Sequence, residues 1–418
     1  MTEPEPARRP IHYAWIIVVT GTLCIVACLG FGRFALGMLL PSMASTLKLS
    51  YSQIGFISTG NFLGYLASVL FCGNIARKMG SRRLIIIALI IIGVSMALIS
   101  QAVSFSAVLI LYTITGMGSG AANVPVMGLI TAWFDRTIRG RAAGFVVIGS
   151  GFAIIMSGKL IPFVNTLVGP EGWRINWMIL AGMVIAISFI GHVFLRNRPE
   201  DVGLKPLGSE EMAITLVTGG EKAAQSVYKN KTLYLLGTIY FLFGYTYVIY
   251  ATFIVTTLVK ERGFSETIAG DFWAWVGLLS LFSGPVFGTL SDRLGRKAGL
   301  MIVFSLQMLA YLMVAANLPP LFLYLSIGFY GIVAWSIPSI MVAAVSEYVG
   351  VNKALAAFGF ITFIFGLGQI AGPSVAGLLA ERTGSFSSSF FMAAAFAGVA
   401  IVITGFLNKP RATELQED

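Results

Sequence analysis

The sequence predicts an all-α polytopic membrane protein, with twelve transmembrane helices in two pseudo-symmetric halves of six. Three observations carry this. The chain of 418 residues is 57% hydrophobic and only 11% charged, against about 25% charged in a soluble protein. Its apolar runs recur at the roughly 20-residue length that a bilayer core of about 30 Å demands of a helix. Two distant stretches also match each other at one fixed spacing.

The spans fall at about 14–40, 53–73, 84–101, 105–133, 141–165, 175–195, 232–260, 267–290, 298–317, 320–348, 354–380 and 386–407. Their connections are short except for residues 196–231, which are polar, mixed in charge and read as a linker. The chain thus divides into an N-terminal half (1–195), a linker (196–231) and a C-terminal half (232–418). An even number of spans puts both termini on one side. Loops on that side hold Arg77, Lys78, Arg82, Arg83, Arg136, Arg139, Arg141, Arg293, Arg296 and Lys297. The other side offers Lys48, Arg174, Lys260, Arg262 and Arg382. The net charge of +10 is therefore a positive-inside signal rather than a nucleic-acid footprint, and it places the termini and the linker in the cytoplasm. The N-terminal stretch "MTEPEPARRP" has no signal-peptide pattern. Cys24, Cys28 and Cys72 all lie in apolar runs and the two histidines are far apart, so neither a disulfide framework nor a metal site is expected.

The halves repeat. "GNIARKMGSRR" from Gly73 matches "GTLSDRLGRKA" from Gly288, and 288 − 73 = 215. The same offset pairs Gly144 of "RAAGF" with Gly359 of "AAFGF" (359 − 144 = 215). At nearly that offset "GFGRF" matches "LFGYT", pairing Arg33 with Tyr245 (245 − 33 = 212). Parallel six-helix repeats are a transporter plan, with the substrate site between them near the membrane midplane.

"GTLSDRLGRK" resembles the loop signature of the major facilitator superfamily, which that family carries between the second and third helices of each half. The resemblance implies a conformational loop built on Gly73 and Gly80 in the first copy and on Gly288, Asp292, Arg293, Gly295 and Arg296 in the second. Glycines allow the tight turn, Asp292 can accept bonds from a neighbouring helix end, and the basic residues hold the cytoplasmic side. In the first copy Arg77 stands where the aspartate would be, so latching does not extend to that loop. "LYTITGMGSGAANVPVMGLITAWFDRTIRGRAAGF" is similar to the fourth and fifth helices of oxalate–formate and monocarboxylate porters, and "RPEDVGLKP" to the flank of the sixth helix in bacterial members. These likenesses imply a bacterial inner-membrane protein. Two family cations are missing: Gly284-Pro285 replaces the eighth-helix Arg-Pro of organic-anion porters, and Tyr112 replaces the fourth-helix arginine of drug and sugar porters.

Ionisable residues within spans cost at least about 2.5–3.5 kcal/mol and normally face a cavity or a partner. Arg33 lies 18 residues after Trp15, or roughly 27 Å along the helix. Lys159 in the fifth span and Asp271 in the eighth lie at similar depth, toward the periplasmic side. Arg33 is a candidate to hold a substrate carboxylate by two charge-assisted bonds; bonding to helix carbonyls is the structural alternative. Lys159 and Asp271 are candidates for an outer gate pair, closed when the cavity opens inward, and Asp271 is the best single proton carrier. Snorkelling of Lys159 and a helix-dipole position for Asp271 are the plain alternatives. Asn123 with Pro125, and Trp335 with Pro338, would break the fourth and tenth helices and free carbonyls to a cavity. Tyr245 and Tyr247 in the seventh helix and Gln369 in the eleventh complete the substrate-binding set.

The expected function is secondary active transport of a small organic anion, a carboxylate, by alternating access, with proton coupling or exchange. Efflux of an amphipathic metabolite or drug is the second reading, and a transporter-like membrane sensor is an alternative of another class. No zinc motif, nucleophile elbow or phosphate loop suggests an enzyme. No cofactor is expected, and the partners are a small anion, the bilayer and, with coupling, protons. The working unit is expected to be a monomer.

Overall fold

A computed structural model describes residues 12–208, 230–316, 318–350 and 353–407. Among the described residues, twelve helices are long and apolar enough to cross a membrane. They are α1 (Tyr13–Thr46), α2 (Tyr51–Met79), α3 (Ser81–Ile99), α4 (Phe105–Trp133), α5 (Arg136–Val168), α6 (Gly172–Phe194), α7 (Lys231–Glu261), α8 (Glu266–Leu294), α9 (Arg296–Ala315), α10 (Pro320–Val349), α11 (Ala354–Thr383) and α12 (Ser387–Gly405). Among the described residues there is no strand, only an isolated bridge between Phe134 and Leu207.

Local chemistry sets the helix ends. Ser50 and Gln53 form a reciprocal capping box at the start of α2. Ser104, Asp135, Asn230 and Ser265 each accept a first-turn backbone N–H at the starts of α4, α5, α7 and α8. Gly80 and Gly295 join α2 to α3 and α8 to α9 at φ +89° and +90°; only glycine takes that backbone without strain. The repeat relates these two turns, since 295 − 80 = 215.

Two helices are irregular near the middle of the bundle. In α1, residues Val26–Phe34 are π-helical, a form that clusters at functional sites. In α10 the helix breaks at Ala334–Trp335, as the sequence predicts. The expected break in α4 does not occur: the helix runs unbroken through Asn123 and Pro125. A proline removes one donor, and packed membrane helices re-satisfy the freed carbonyl.

The starts of α1 and α7 and the ends of α6 and α12 share one end of the bundle, termed the terminal end; the turns 46–51, 168–172, 261–266 and 383–387 form the distal end. Contacts between the halves gather from the middle to the distal end. Thr59 donates to Ile370 O (3.0 Å), the Ser52 N–H to Glu381 (3.1 Å), and Ser58 and Thr252 share a bond of 3.2 Å. The α5 and α8 backbones touch through glycines: a side-chain carbon at Gly158 would lie 2.5 Å from Gly270 O, and one at Gly270 2.2 Å from Gly158 O. Toward the terminal end, a side-chain carbon at Gly128, Gly144 or Gly359 would meet nothing within 4 Å.

Candidate functional site

The site is built on the π-helical stretch of α1. Widening the helix leaves carbonyls for side chains: Asn61 donates to Gly32 O (3.1 Å) and Tyr112 to Arg33 O (2.9 Å). Tyr112 therefore fixes the Arg33 backbone. Gly30 and Gly32 let α5 and α4 approach closely, with a side-chain carbon at Gly30 only 2.0 Å from Ala153 Cβ.

Arg33 is 9% exposed. Its guanidinium carbon lies 4.5 Å from the Phe62 ring centre and 4.2 Å from that of Tyr65, both on α2, so ring quadrupoles offset part of the charge. Nε and Nη2 are buried without any hydrogen-bond partner. These two nitrogens form one edge of the guanidinium fork, whose parallel N–H bonds match the two oxygens of a carboxylate. Arg33 lines a cavity of about 10 Å³ between the halves, shared with Ser58 and Asn61 on one side and Tyr247, Val248 and Thr252 on the other. That is room for about one water.

The structure brings five of the six sequence-predicted binding residues into this neighbourhood. Asn123 donates to the Tyr65 hydroxyl at 2.8 Å, supporting the ring beside Arg33. Gln369 donates to the Tyr247 hydroxyl. The Trp335 ring lies 5.9 Å from Tyr247 and 5.1 Å from Phe34. Its backbone N–H donates to Ser283 (2.9 Å), which holds the α10 break against α8. Tyr245 is the exception. Its hydroxyl faces Met392 Sδ at 3.4 Å and its ring packs on Phe396, because residues two apart on a helix point about 200° apart. Phe62, Tyr65 and Phe365, which stacks on Tyr247, were not singled out in the sequence; an aromatic in an apolar run carries no signal of what it faces.

Lys159 Nζ and Asp271 Oδ1 lie 2.5 Å apart across α5 and α8, with side chains 63% and 47% exposed. A second polar link lies nearer the distal end, where Asn165 donates to Glu266 Oε2 at 2.6 Å. In the C-half loop Arg296 bonds Asp292, while Arg293 is exposed. Gly73 faces open space and a carbon at Gly288 would meet Ser339 at 3.4 Å. Among the described residues no His, Cys, Asp and Glu group could hold a metal ion.

Twelve spans in two repeated halves, with a buried cation and a small cavity between them, define a membrane transporter of the major facilitator fold. The chain belongs to the family described as "Uncharacterised MFS-type transporter YbfB", whose profile matches residues 25–405. Similar proteins include the hexuronate transporter of Bacillus subtilis, 25% identical over 92% of this chain and 93% of that one. Membrane sensor protein UhpC of Escherichia coli is 26% identical over 90% and 89%, and human monocarboxylate transporter 2 is 22% identical over 96% and 87%. Among solved structures, an inward-facing, unoccupied bacterial homologue of the lysosomal transporter Spinster superposes with a TM-score of 0.76 at 15% identity, covering 94% of this chain and 97% of that one. Such distant likeness speaks for the fold alone.

Proposed function

We propose that the protein is a secondary carrier for a small organic anion, a carboxylate, bound between the halves at Arg33. The observation that carries this is the Nε–Nη2 edge of a buried guanidinium, which has no hydrogen-bond partner. A buried charge left unpaired is costly, and a carboxylate supplies the missing acceptors. The names of two relatives, hexuronate and monocarboxylate transporters, agree with that chemistry. On this reading Tyr247, Gln369, Trp335 and Asn123 shape the site. The Lys159–Asp271 pair is the outer gate, and Asp271 can carry a proton when the pair opens. The basic loops support a reading in which the terminal end faces the cytoplasm, and one chain supplies both faces of the site, so a monomer suffices. Coupling is by proton symport or by exchange.

The likeness to a sensor supports a second reading, in which the same site binds an anion without moving it. A thermal-shift screen of mono- and dicarboxylates at two pH values, followed by proteoliposome uptake of the best binder, tests both. Binding with uptake is expected. Binding without uptake would favour the sensor, and stabilisation by no carboxylate would overturn the anion site.

A further inference from the structure

The two repeat-related turns are fastened in different ways. In the C half, Arg296 bonds Ser291 and Asp292 on α8 and reaches Glu347 Oε1 near the end of α10 at 2.6 and 2.9 Å. Lys297 donates to Gly405 O at the end of α12. Charges thus tie the α8–α9 turn to the ends of α10 and α12. The N half keeps only the second tie: Arg82, the repeat partner of Lys297 (297 − 82 = 215), donates to His192 O at the end of α6 at 2.5 Å. At the same offset Asp292, Arg296 and Glu347 correspond to Arg77, Ser81 and Ala132. These three positions hold no acidic residue, so the Arg296–Glu347 pair is not repeated at them.

A different part of the chain spans that gap. The first residues after α6, which the sequence assigns to the linker, pack back onto the N half. Asn197 Oδ1 accepts the Arg82 N–H at 2.9 Å, and its amide sits against Gly80, where a side-chain carbon would meet it at 3.1 Å. Trp133, the last residue of α4, donates its indole N–H to Arg196 O at 3.1 Å. The Leu207 N–H donates to Trp133 O and the Asp135 N–H to Leu207 O, each at 3.0 Å. Between these anchors Asp201 Oδ2 accepts the N–H groups of Asn197 and Arg198 (3.1 and 3.2 Å), closing a short 3₁₀ turn at Pro199–Val202. One end of the segment holds the α2–α3 turn, and the other holds the end of α4.

We infer that residues 196–207 are a brace belonging to the N half, with Asn197 as its positioning residue, and that they do there what the Arg296–Glu347 link does in the C half. The two halves then each move as one body, one held by its Arg296 and Lys297 ties and the other by the Arg82 tie together with backbone bonds and an amide. This does not depend on what the protein carries, so it is tested without substrate.

Backbone hydrogen exchange of the full-length protein in detergent reads it. Asn197→Ala is expected to speed exchange of segment 80–84 and of segment 133–139 by about tenfold, leaving α9 and the end of α10 unchanged. Asn197→Asp keeps the acceptor and should retain wild-type protection. Adding Arg77→Asp, Ser81→Arg and Ala132→Glu to Asn197→Ala rebuilds the C-half link and should restore protection at 80–84. Unchanged exchange in Asn197→Ala, or a graft that restores nothing, would overturn the brace. Should Asn197→Ala not fold, Asp201→Ala, which loosens only the turn, carries the same expectation.

Discussion

The two faces of the central cavity are made of different chemistry. The N half brings the charge: Arg33, with Phe62 and Tyr65 against it and Asn123 behind Tyr65. The C half brings uncharged groups: Tyr247 tied to Gln369, stacked on Phe365 and edge-on to Trp335. On the proposed function, one half would select by charge and the other by shape and hydrogen bonding. A bound anion would bridge them, so that closing the site around it neutralises a cation that otherwise meets only ring faces and the Tyr247 hydroxyl.

Removing the charge should break this division most severely. Arg33→Ala deletes two charge-assisted bonds at roughly 1.5–3 kcal/mol each, so carboxylate affinity should fall by about 100-fold or more; isothermal titration of the purified protein checks it. Arg33→Lys keeps charge but not the fork, and should recover only part of that loss. On the C side, Tyr247→Phe leaves Gln369 without its partner at a cost of about 1–2 kcal/mol. The expected result is a roughly tenfold rise in the transport KM, with selectivity for anions over neutral analogues kept. If anion selectivity is lost instead, the division of labour is wrong. Asn123→Ala acts only through Tyr65 and should weaken binding about threefold.

The smallest effect is expected at the gate. Lys159→Ala leaves Asp271 without its partner across α5 and α8 and should shift the balance between outward- and inward-open forms by a few-fold. Cysteine accessibility of Ser58→Cys from the distal side reports that shift. Exchanging the charges, Lys159→Asp with Asp271→Lys, should return accessibility to the wild-type value. No response to either change would remove the pair from the gate.

Much of this was legible in the sequence, for physical reasons. Apolar runs of bilayer length gave the twelve spans, and a cation inside one of them stood out because hydrocarbon does not tolerate it unpartnered. Asn123, Tyr247, Trp335 and Gln369 stood out likewise, as polar groups in apolar runs. Tyr245 misled because it was paired with Arg33 at an offset of 212. The offset of the other matches gives 33 + 215 = 248, and Val248 does line the cavity with Arg33. A slip of three residues rotates a helix by about 300°, enough to choose the wrong neighbour. The Phe62–Tyr65 contacts and the folding-back of residues 196–207 depend on tertiary packing, which hydropathy does not encode. The rest of the predicted linker, 209–229, lies outside the described residues.

The glycine contacts between α5 and α8 have a mechanical consequence. Helices packed through large side chains interlock like gear teeth, and turning one against the other means disengaging each tooth. At Gly158 and Gly270 backbone meets backbone, so the contact there resembles two smooth cylinders. Such a contact can roll with little loss of van der Waals area. A single added methyl there would act as a wedge, propping the distal end apart and biasing every cycle toward one side.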